Sequence, residues 1–218
     1  LFSLPGDGLV FQGLLPPLLD RLTTGLLWVW FINLYNFMDG IDGITGVETM
    51  AIGTGTAAIA CLGAAVGGAS PPLGLVLAAA AAGFLRWNWH PARIFMGDVG
   101  SVPIGFFAGW LLIAAAISGA WAAALILPAY HLADATITLV RRAGRLEPIW
   151  KAHREHFYQK AVAAGRSHSG VTLTIGCLNL VLIAAAVGSR AYPGTALVVA
   201  IIVTMAVLLA FSRPLRPR

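Results

Sequence analysis

The sequence predicts an all-α, polytopic membrane helix bundle of about seven transmembrane helices. Three observations predict it. The 218 residues are 58% hydrophobic and 11% charged, against about 25% charged in a soluble domain, and mean hydropathy is +0.82. The apolar residues gather into seven runs, each near the ~20 residues that a hydrocarbon core about 30 Å thick requires. When those runs are threaded alternately, all but Arg21 and Arg190 of the 14 Lys and Arg fall in loops on one side. The positive-inside rule makes that side cytoplasmic. A net charge of +5 would suggest nucleic acid to a soluble protein. With this charge distribution the expected partner is the lipid bilayer, with no nucleic acid.

Residues 1–21 form a polar, proline-containing lead-in without the basic n-region of a signal peptide. Opening on Leu rather than Met is expected of a chain whose upstream sequence is missing. The first run, 22–38, ends at an acidic turn. The second, 47–66, is rich in Gly, Ala and Thr, the small residues that let membrane helices approach. A turn at 67–72 leads to the third run, 73–89, whose alanines 78–82 suit helix packing. A short polar segment, 91–100, precedes runs at 102–117 and 121–140. The long polar stretch 141–169 separates these from runs at 171–187 and 195–211. No linker divides the chain, so 1–218 reads as one transmembrane domain. Cys61 and Cys177 lie inside apolar runs without metal-ligand spacing and read as buried small hydrophobes.

The same threading brings three polar segments to one face. The first holds Asn33, Asn36, Asp39 and Asp42 among Gly40, Gly43 and Gly46. Ionisable groups at a membrane surface are costly and mark function. On a helical turn Asp39 and Asp42 would share a face, and a cation would relieve their repulsion; solvated acids at a helix end are the plain alternative. The second segment runs from Asn88 to Ser101 and holds Phe95, Gly97, Asp98 and Gly100. Ser101 is a candidate N-cap of a helix starting there. Helix starts attract phosphates, and an acid beside a phosphate calls for Mg²⁺; simple capping by Asp98 is the alternative. Trp87 and Trp89 suit an interfacial aromatic belt.

The third segment predicts a helix bracketed by Pro148 and Gly165, with Ile149, His153, His156, Phe157 and Lys160 on one stripe. Its two histidines lack zinc-ligand spacing and, with Arg154, suit a diphosphate. A basic helix resting on anionic lipid is the alternative. Asp134, inside the fifth run, is either an inward-facing polar group or a partner of Arg141 or Arg142.

These motifs resemble those of the polyprenyl-phosphate N-acetylhexosamine-1-phosphate transferases. Residues 33–46 resemble the family's Asn-x-x-Asn-x-x-Asp-Gly-x-Asp-Gly block. Residues 95–101, Phe-Met-Gly-Asp-Val-Gly-Ser, resemble its most specific block. Residues 152–159, Ala-His-Arg-Glu-His-Phe-Tyr-Gln, resemble its histidine loop, in the form closest to O-antigen-initiating members. The resemblance implies a multi-pass protein of the bacterial inner membrane with its active site on the cytoplasmic face. It implies transfer of N-acetylhexosamine-1-phosphate from a UDP-sugar to undecaprenyl phosphate, releasing UMP, as the first membrane step of O-antigen or cell-wall assembly. Mg²⁺, with Mn²⁺ as a substitute, would be held by Asp98 and Asn36. Asp39 and Asp42 would serve as nucleotide and metal-shell contacts, Phe95 and Asn88 would hold uracil, and His153, Arg154 and His156 the diphosphate or sugar. Family members can form homodimers.

The resemblance departs at the front. The family's Asp-Asp motif has no match, since Asp7 and Asp20 stand alone, and the chain resembles the C-terminal two-thirds of a transferase. An inactive or truncated lipid-binding homologue is the main alternative. A secondary transporter would instead place its acids near the midplane.

Overall fold

The structure, a computed structural model, describes residues 8–64, 71–148 and 153–213. Nine α-helices and one π-helical turn make up the described elements, with no strand among them. They are α1 (Pro17–Phe37), α2 (Ile44–Ile59, continued by a π-helical turn at Ala60–Ala64), α3 (Pro71–Asn88), α4 (Gly97–Ile117), α5 (Trp121–Ile126), α6 (Ala129–Gly144), α7 (Phe157–Ala163), α8 (His168–Gly188) and α9 (Pro193–Ser212). Among the described residues, four stretches are long and apolar enough to cross a membrane: Ile44–Gly63, Gly97–Ile117, His168–Gly188 and Pro193–Ser212. The expected count of seven is therefore not met by that measure.

Two of the differences have local causes. The first helix begins at Pro17, five residues before the expected run. A proline suits the first helical turn, and the buried Asp20 carboxylate accepts the Val10 and Phe11 N–H groups at 3.1 and 2.9 Å. The fifth run is not one helix but two, α5 and α6. Pro128 sits at the break with no N–H to continue the ladder.

α2 is the central post. Its membrane-length window is 78% buried within the protein, against 28% for α9. That follows from composition: glycines, alanines and threonines let α3, α4 and α8 close around it. At its closest crossing, a Cβ on Gly53 would lie 2.6 Å from the Gly74 carbonyl oxygen and 2.8 Å from the Ala78 nitrogen. Ala78 and Ala81 are buried, as expected of the alanine tract. Gly53→Ala must push two backbones apart. Its expected cost is about 1–3 kcal/mol, read as a lower thermal unfolding midpoint in detergent. At Gly83 a Cβ meets nothing, so Gly83→Ala is expected to leave the midpoint unchanged or raise it. Equal midpoints for the two variants would contradict this packing.

α9 shows the opposite pattern. Ala196, Ala200, Thr204, Leu208 and Phe211 form its one buried stripe, while Val198, Ile201, Ile202 and Leu209 are exposed. Bare apolar surface of this kind on a membrane-length helix is the surface that meets lipid. The same reason corrects the reading of the cysteines. Cys61 and Cys177 are exposed, not buried, because an apolar run supplies lipid-facing as well as inward-facing positions.

The antiparallel threading puts the ends of α1, α3, α6 and α9, the starts of α2, α4 and α8, and all of α7 at one end of the bundle. At the other end the Arg190 guanidinium hydrogen-bonds to the Leu62 carbonyl, and the Gln12 amide to the Ala116 carbonyl at 3.0 Å.

Candidate functional site

The acidic turn is not helical. α1 stops at Phe37, α2 starts at Ile44, and Gly43 between them has φ 79°, a left-handed value that glycine adopts freely. Asp39 and Asp42 therefore do not share a helix face, and they have different partners. The Asp39 carboxylate accepts the Thr45 hydroxyl at 2.7 Å. Burial raises its pKa above the ordinary value; the Thr45 bond and His131 oppose that rise, and the neighbouring Asp98 charge adds to it. Asp42 is engaged instead by the α3–α4 loop. Its Oδ2 meets His90 Nδ1 at 2.6 Å and accepts the Ala92 N–H at 3.2 Å. Burial pushes its pKa up, but the His90 and Ala92 hydrogen bonds together with the nearby His168 outweigh burial and hold the carboxyl below its ordinary value.

The second segment packs onto the first. α4 begins at Gly97, one turn earlier than expected, and Ser101 is not its N-cap. The Ser101 side chain is buried inside the first turns instead. Its hydroxyl lies 3.0 Å from both the Asn36 amide oxygen and the Gly97 carbonyl oxygen. That bond joins the end of α1 to the start of α4. Asp98 sits exposed in the first turn of α4, where free N–H groups point outward. Phe95 is 75% exposed beside it. Asn88 is buried and engaged at both ends: its oxygen accepts the Gly43 N–H at 2.9 Å, and its nitrogen donates to the Ile94 carbonyl at 2.8 Å. It ties the acidic turn to the Phe95 loop.

The third segment differs most. Ile149 lies outside the described residues. Helix α7 covers only Phe157–Ala163, and His156 is its N-cap residue with extended ψ of 150°. Among the described residues, 153–156 are not helical, so the expected stripe does not run from His153 into Phe157 on one helix. His153 and His156 nevertheless lie together, with ring centroids 4.9 Å apart. Asp134 holds the His156 side of this pair. It is fully buried, and its Oδ1 accepts from His156 Nδ1 at 3.0 Å and from the Phe157 N–H at 2.9 Å. Its Oδ2 accepts from the Tyr158 N–H at 3.2 Å and the Tyr130 hydroxyl at 3.0 Å. The carboxylate thus caps α7 together with the local Gln159 side chain, which accepts the His156 N–H at 3.2 Å. Asp134 is the inward-facing group of the two alternatives. Arg142 and Arg145 pair instead with Glu147 and Glu155. Arg154 is exposed. Burial lowers the pKa of His153, and the nearby His156 and Arg142 lower it further. The Tyr158 hydroxyl reaches the Phe37 carbonyl at 3.3 Å and closes the ring of three segments.

Beneath them lies a joint that motif spacing does not reveal. Glu48, His131 and Asn179, from α2, α6 and α8, are all buried. Glu48 Oε2 accepts the Asn179 amide at 2.9 Å and lies 3.3 Å from His131 Nδ1. The available signal was an ionisable residue inside an apolar run. His90 and His168 also escape the motifs, although each touches Asp42.

Fold and site together define a multi-pass membrane protein whose acids, amides and imidazoles gather at one end of a helix bundle. Glycosyl transferase family 4 matches residues 5–116, just over half the chain. The chain belongs to that family. It is 32% identical over 162 residues to the Bacillus subtilis probable undecaprenyl-phosphate N-acetylglucosaminyl 1-phosphate transferase, covering 72% of this chain and 44% of that protein. It is 34% identical over 224 residues to the Mycolicibacterium smegmatis decaprenyl-phosphate N-acetylglucosaminephosphotransferase, covering 86% of this chain and 53% of that protein. With the Deinococcus radiodurans phospho-N-acetylmuramoyl-pentapeptide-transferase it shares 36% identity over 110 residues, 46% of this chain and 32% of the other. The chain spans about half or less of the length of these curated relatives.

Proposed function

We propose that the clustered end of the bundle is the cytoplasmic-face active site of an inner-membrane polyprenyl-phosphate N-acetylhexosamine-1-phosphate transferase. A phosphate oxygen of undecaprenyl phosphate forms a bond to the β-phosphorus of a UDP-N-acetylhexosamine. The bond from that phosphorus to the bridging oxygen breaks, and UMP leaves. The lipid-diphosphate sugar so made would start O-antigen or cell-wall assembly. The observation that carries this reading is the Ser101–Asn36 hydrogen bond, which brings an amide beside the first turn of α4, with Asp98 and Phe95 at its mouth.

Phosphoryl transfer needs positioning and charge stabilisation more than covalent help, and the residues suit those tasks. The oxygen donors of Asp98 and Asn36 fit Mg²⁺, or Mn²⁺ in its place; when bound, the cation neutralises charge on the diphosphate. Phe95 offers an exposed ring for uracil. Asn88 holds the loop that carries it. Asp39 and Asp42 serve as nucleotide and metal-shell contacts. His153, Arg154 and His156 face the diphosphate or sugar, with Asp134 fixing the loop from behind.

The test is UMP release by the purified protein in lipid nanodiscs. Undecaprenyl phosphate is supplied with each UDP-N-acetylhexosamine in turn, with Mg²⁺ or with EDTA. The expected result is UMP formed one for one with lipid-diphosphate sugar, lost with EDTA and restored by Mg²⁺. Lipid binding without UMP would establish a lipid-binding homologue instead. Uptake of solute without transfer would establish a transporter.

The pH dependence has a definite sign. Burial keeps Asp39 protonated to higher pH than a free aspartic acid, so its ionisation sets an acidic limb in the pH–rate profile. Thr45→Val removes the hydroxyl that favours the charged form. The acidic limb of kcat/KM is expected to move to higher pH in that variant. A limb that stays put, or moves down, would separate Asp39 from the rate.

A further inference from the structure

Asp42, His90 and His168 come from three separate elements, namely the acidic turn, the α3–α4 loop and the first residue of α8. One ligand atom from each lies within 4.8 Å of the others. We infer that these three side chains form a second divalent-metal site, of the Zn²⁺ class, separate from the oxygen-donor pair of Asp98 and Asn36. The inference goes beyond the transfer reaction and does not rest on it.

The donor set decides the class of metal. Two imidazoles and one carboxylate suit Zn²⁺, Co²⁺ and related ions, whereas Mg²⁺ prefers oxygen alone. Ligands about 2.0–2.2 Å from one ion lie roughly 3–3.5 Å apart. His168 Nδ1 is already 3.5 Å from Asp42 Oδ1. His90 Nδ1 is 2.6 Å from Asp42 Oδ2. That side chain is 41% exposed and can draw back by a few tenths of an ångström. His168 Nδ1 is shielded from solvent and has no hydrogen-bond partner. A buried ring nitrogen without a partner is anomalous, and here it points at a carboxylate that a metal would bridge.

The surrounding hydrogen bonds hold the three ligands in register. Thr172, one turn after His168 on α8, donates its hydroxyl to the Asp42 carbonyl at 2.8 Å. Asn88, two residues before His90, accepts the Gly43 N–H at 2.9 Å. The backbone that carries the Asp42 carboxylate is thus fastened on both sides to the elements that carry its partners, which limits how far the three side chains can drift apart. Three protein ligands leave positions open, and the partial exposure of His90 and His168 lets water or an anionic oxygen take them.

The experiment adds Co²⁺ to the purified, metal-stripped protein in detergent and records its visible absorption. One equivalent is expected to give the d–d bands of a nitrogen- and oxygen-ligated ion, and Zn²⁺ is expected to displace it. His90→Gln and His168→Gln should each weaken binding at least about ten-fold, while Asp98→Asn should leave it unchanged. Absent bands, bands that survive both histidine substitutions, or bands lost with Asp98→Asn would overturn the inference. A second measurement needs no variant. Zn²⁺ should protect His90 and His168 of the wild-type protein from carbethoxylation, read residue by residue by mass spectrometry. Equal modification with and without Zn²⁺ would also overturn it.

Discussion

Asp98→Asn is expected to abolish UMP release, by about 10³-fold or more. The side chain keeps its size, and Asp98 is an exposed first-turn residue of α4. The helix start therefore loses only a dipole interaction of about 0.3–1 kcal/mol, and the fold survives. What goes is the negative oxygen that suits a cation beside the Asn36 amide. Charge stabilisation by a bound cation is worth several kcal/mol in a transition state, and about 4 kcal/mol corresponds to 10³ in rate. The measurement is single-turnover UMP release across a Mg²⁺ titration, with the unfolding midpoint as a control. Normal turnover by this variant would end the assignment of Asp98.

Asp134→Ala is expected to be the most damaging substitution away from the reacting groups. It would leave the Phe157 and Tyr158 N–H groups, the His156 ring nitrogen and the Tyr130 hydroxyl without their acceptor. All four lie in the buried interior, where orphaned donors are costly. A loss of about 3–5 kcal/mol is expected. The effect should be local first: amide exchange should rise across residues 153–163 while the middle of α8 stays protected. Transfer should fall with it, because His156 loses the group that seats it, and His153 packs against that ring. Asp134→Asn keeps one acceptor oxygen and should fall between. An unchanged unfolding midpoint and unchanged exchange in the alanine variant would show that the carboxylate does not hold the loop.

The parts of the fold that follow from solvent preference are legible in the residues. Apolar runs became helices, and alternating them predicted that residues 33–46, 88–101 and 141–169 would share one end. The hydrogen bonds Ser101–Asn36, Gly43–Asn88 and Tyr158–Phe37 bear that out. Spacing misled where the backbone leaves the regular period. α1 ends at Phe37, before either acid, so no helix aligns Asp39 with Asp42, and Pro128 divides the fifth run. α7 starts only after His156, where a buried acid from another helix caps it. A cap supplied across more than twenty residues of sequence leaves no local pattern. The Glu48–His131–Asn179 joint shows in the sequence only as ionisable residues inside apolar runs; the pairing itself is not legible, since its members meet only after α2, α6 and α8 have packed.

The account rests on one cation lying among the three loops at a single end of the bundle. Manganese bound in place of magnesium makes that measurable. In a protein with Cys61 and Cys177 replaced by Ala, a nitroxide is attached at Arg154→Cys, in the histidine loop, or at Tyr192→Cys, in the exposed turn between α8 and α9 at the far end. Pulsed dipolar spectroscopy then reads the distance from each label to Mn²⁺. The account predicts a short distance from Arg154→Cys that disappears with Asp98→Asn, and one on the order of the ~30 Å hydrocarbon core from Tyr192→Cys. A long distance from Arg154→Cys, or a short one from Tyr192→Cys, would contradict it.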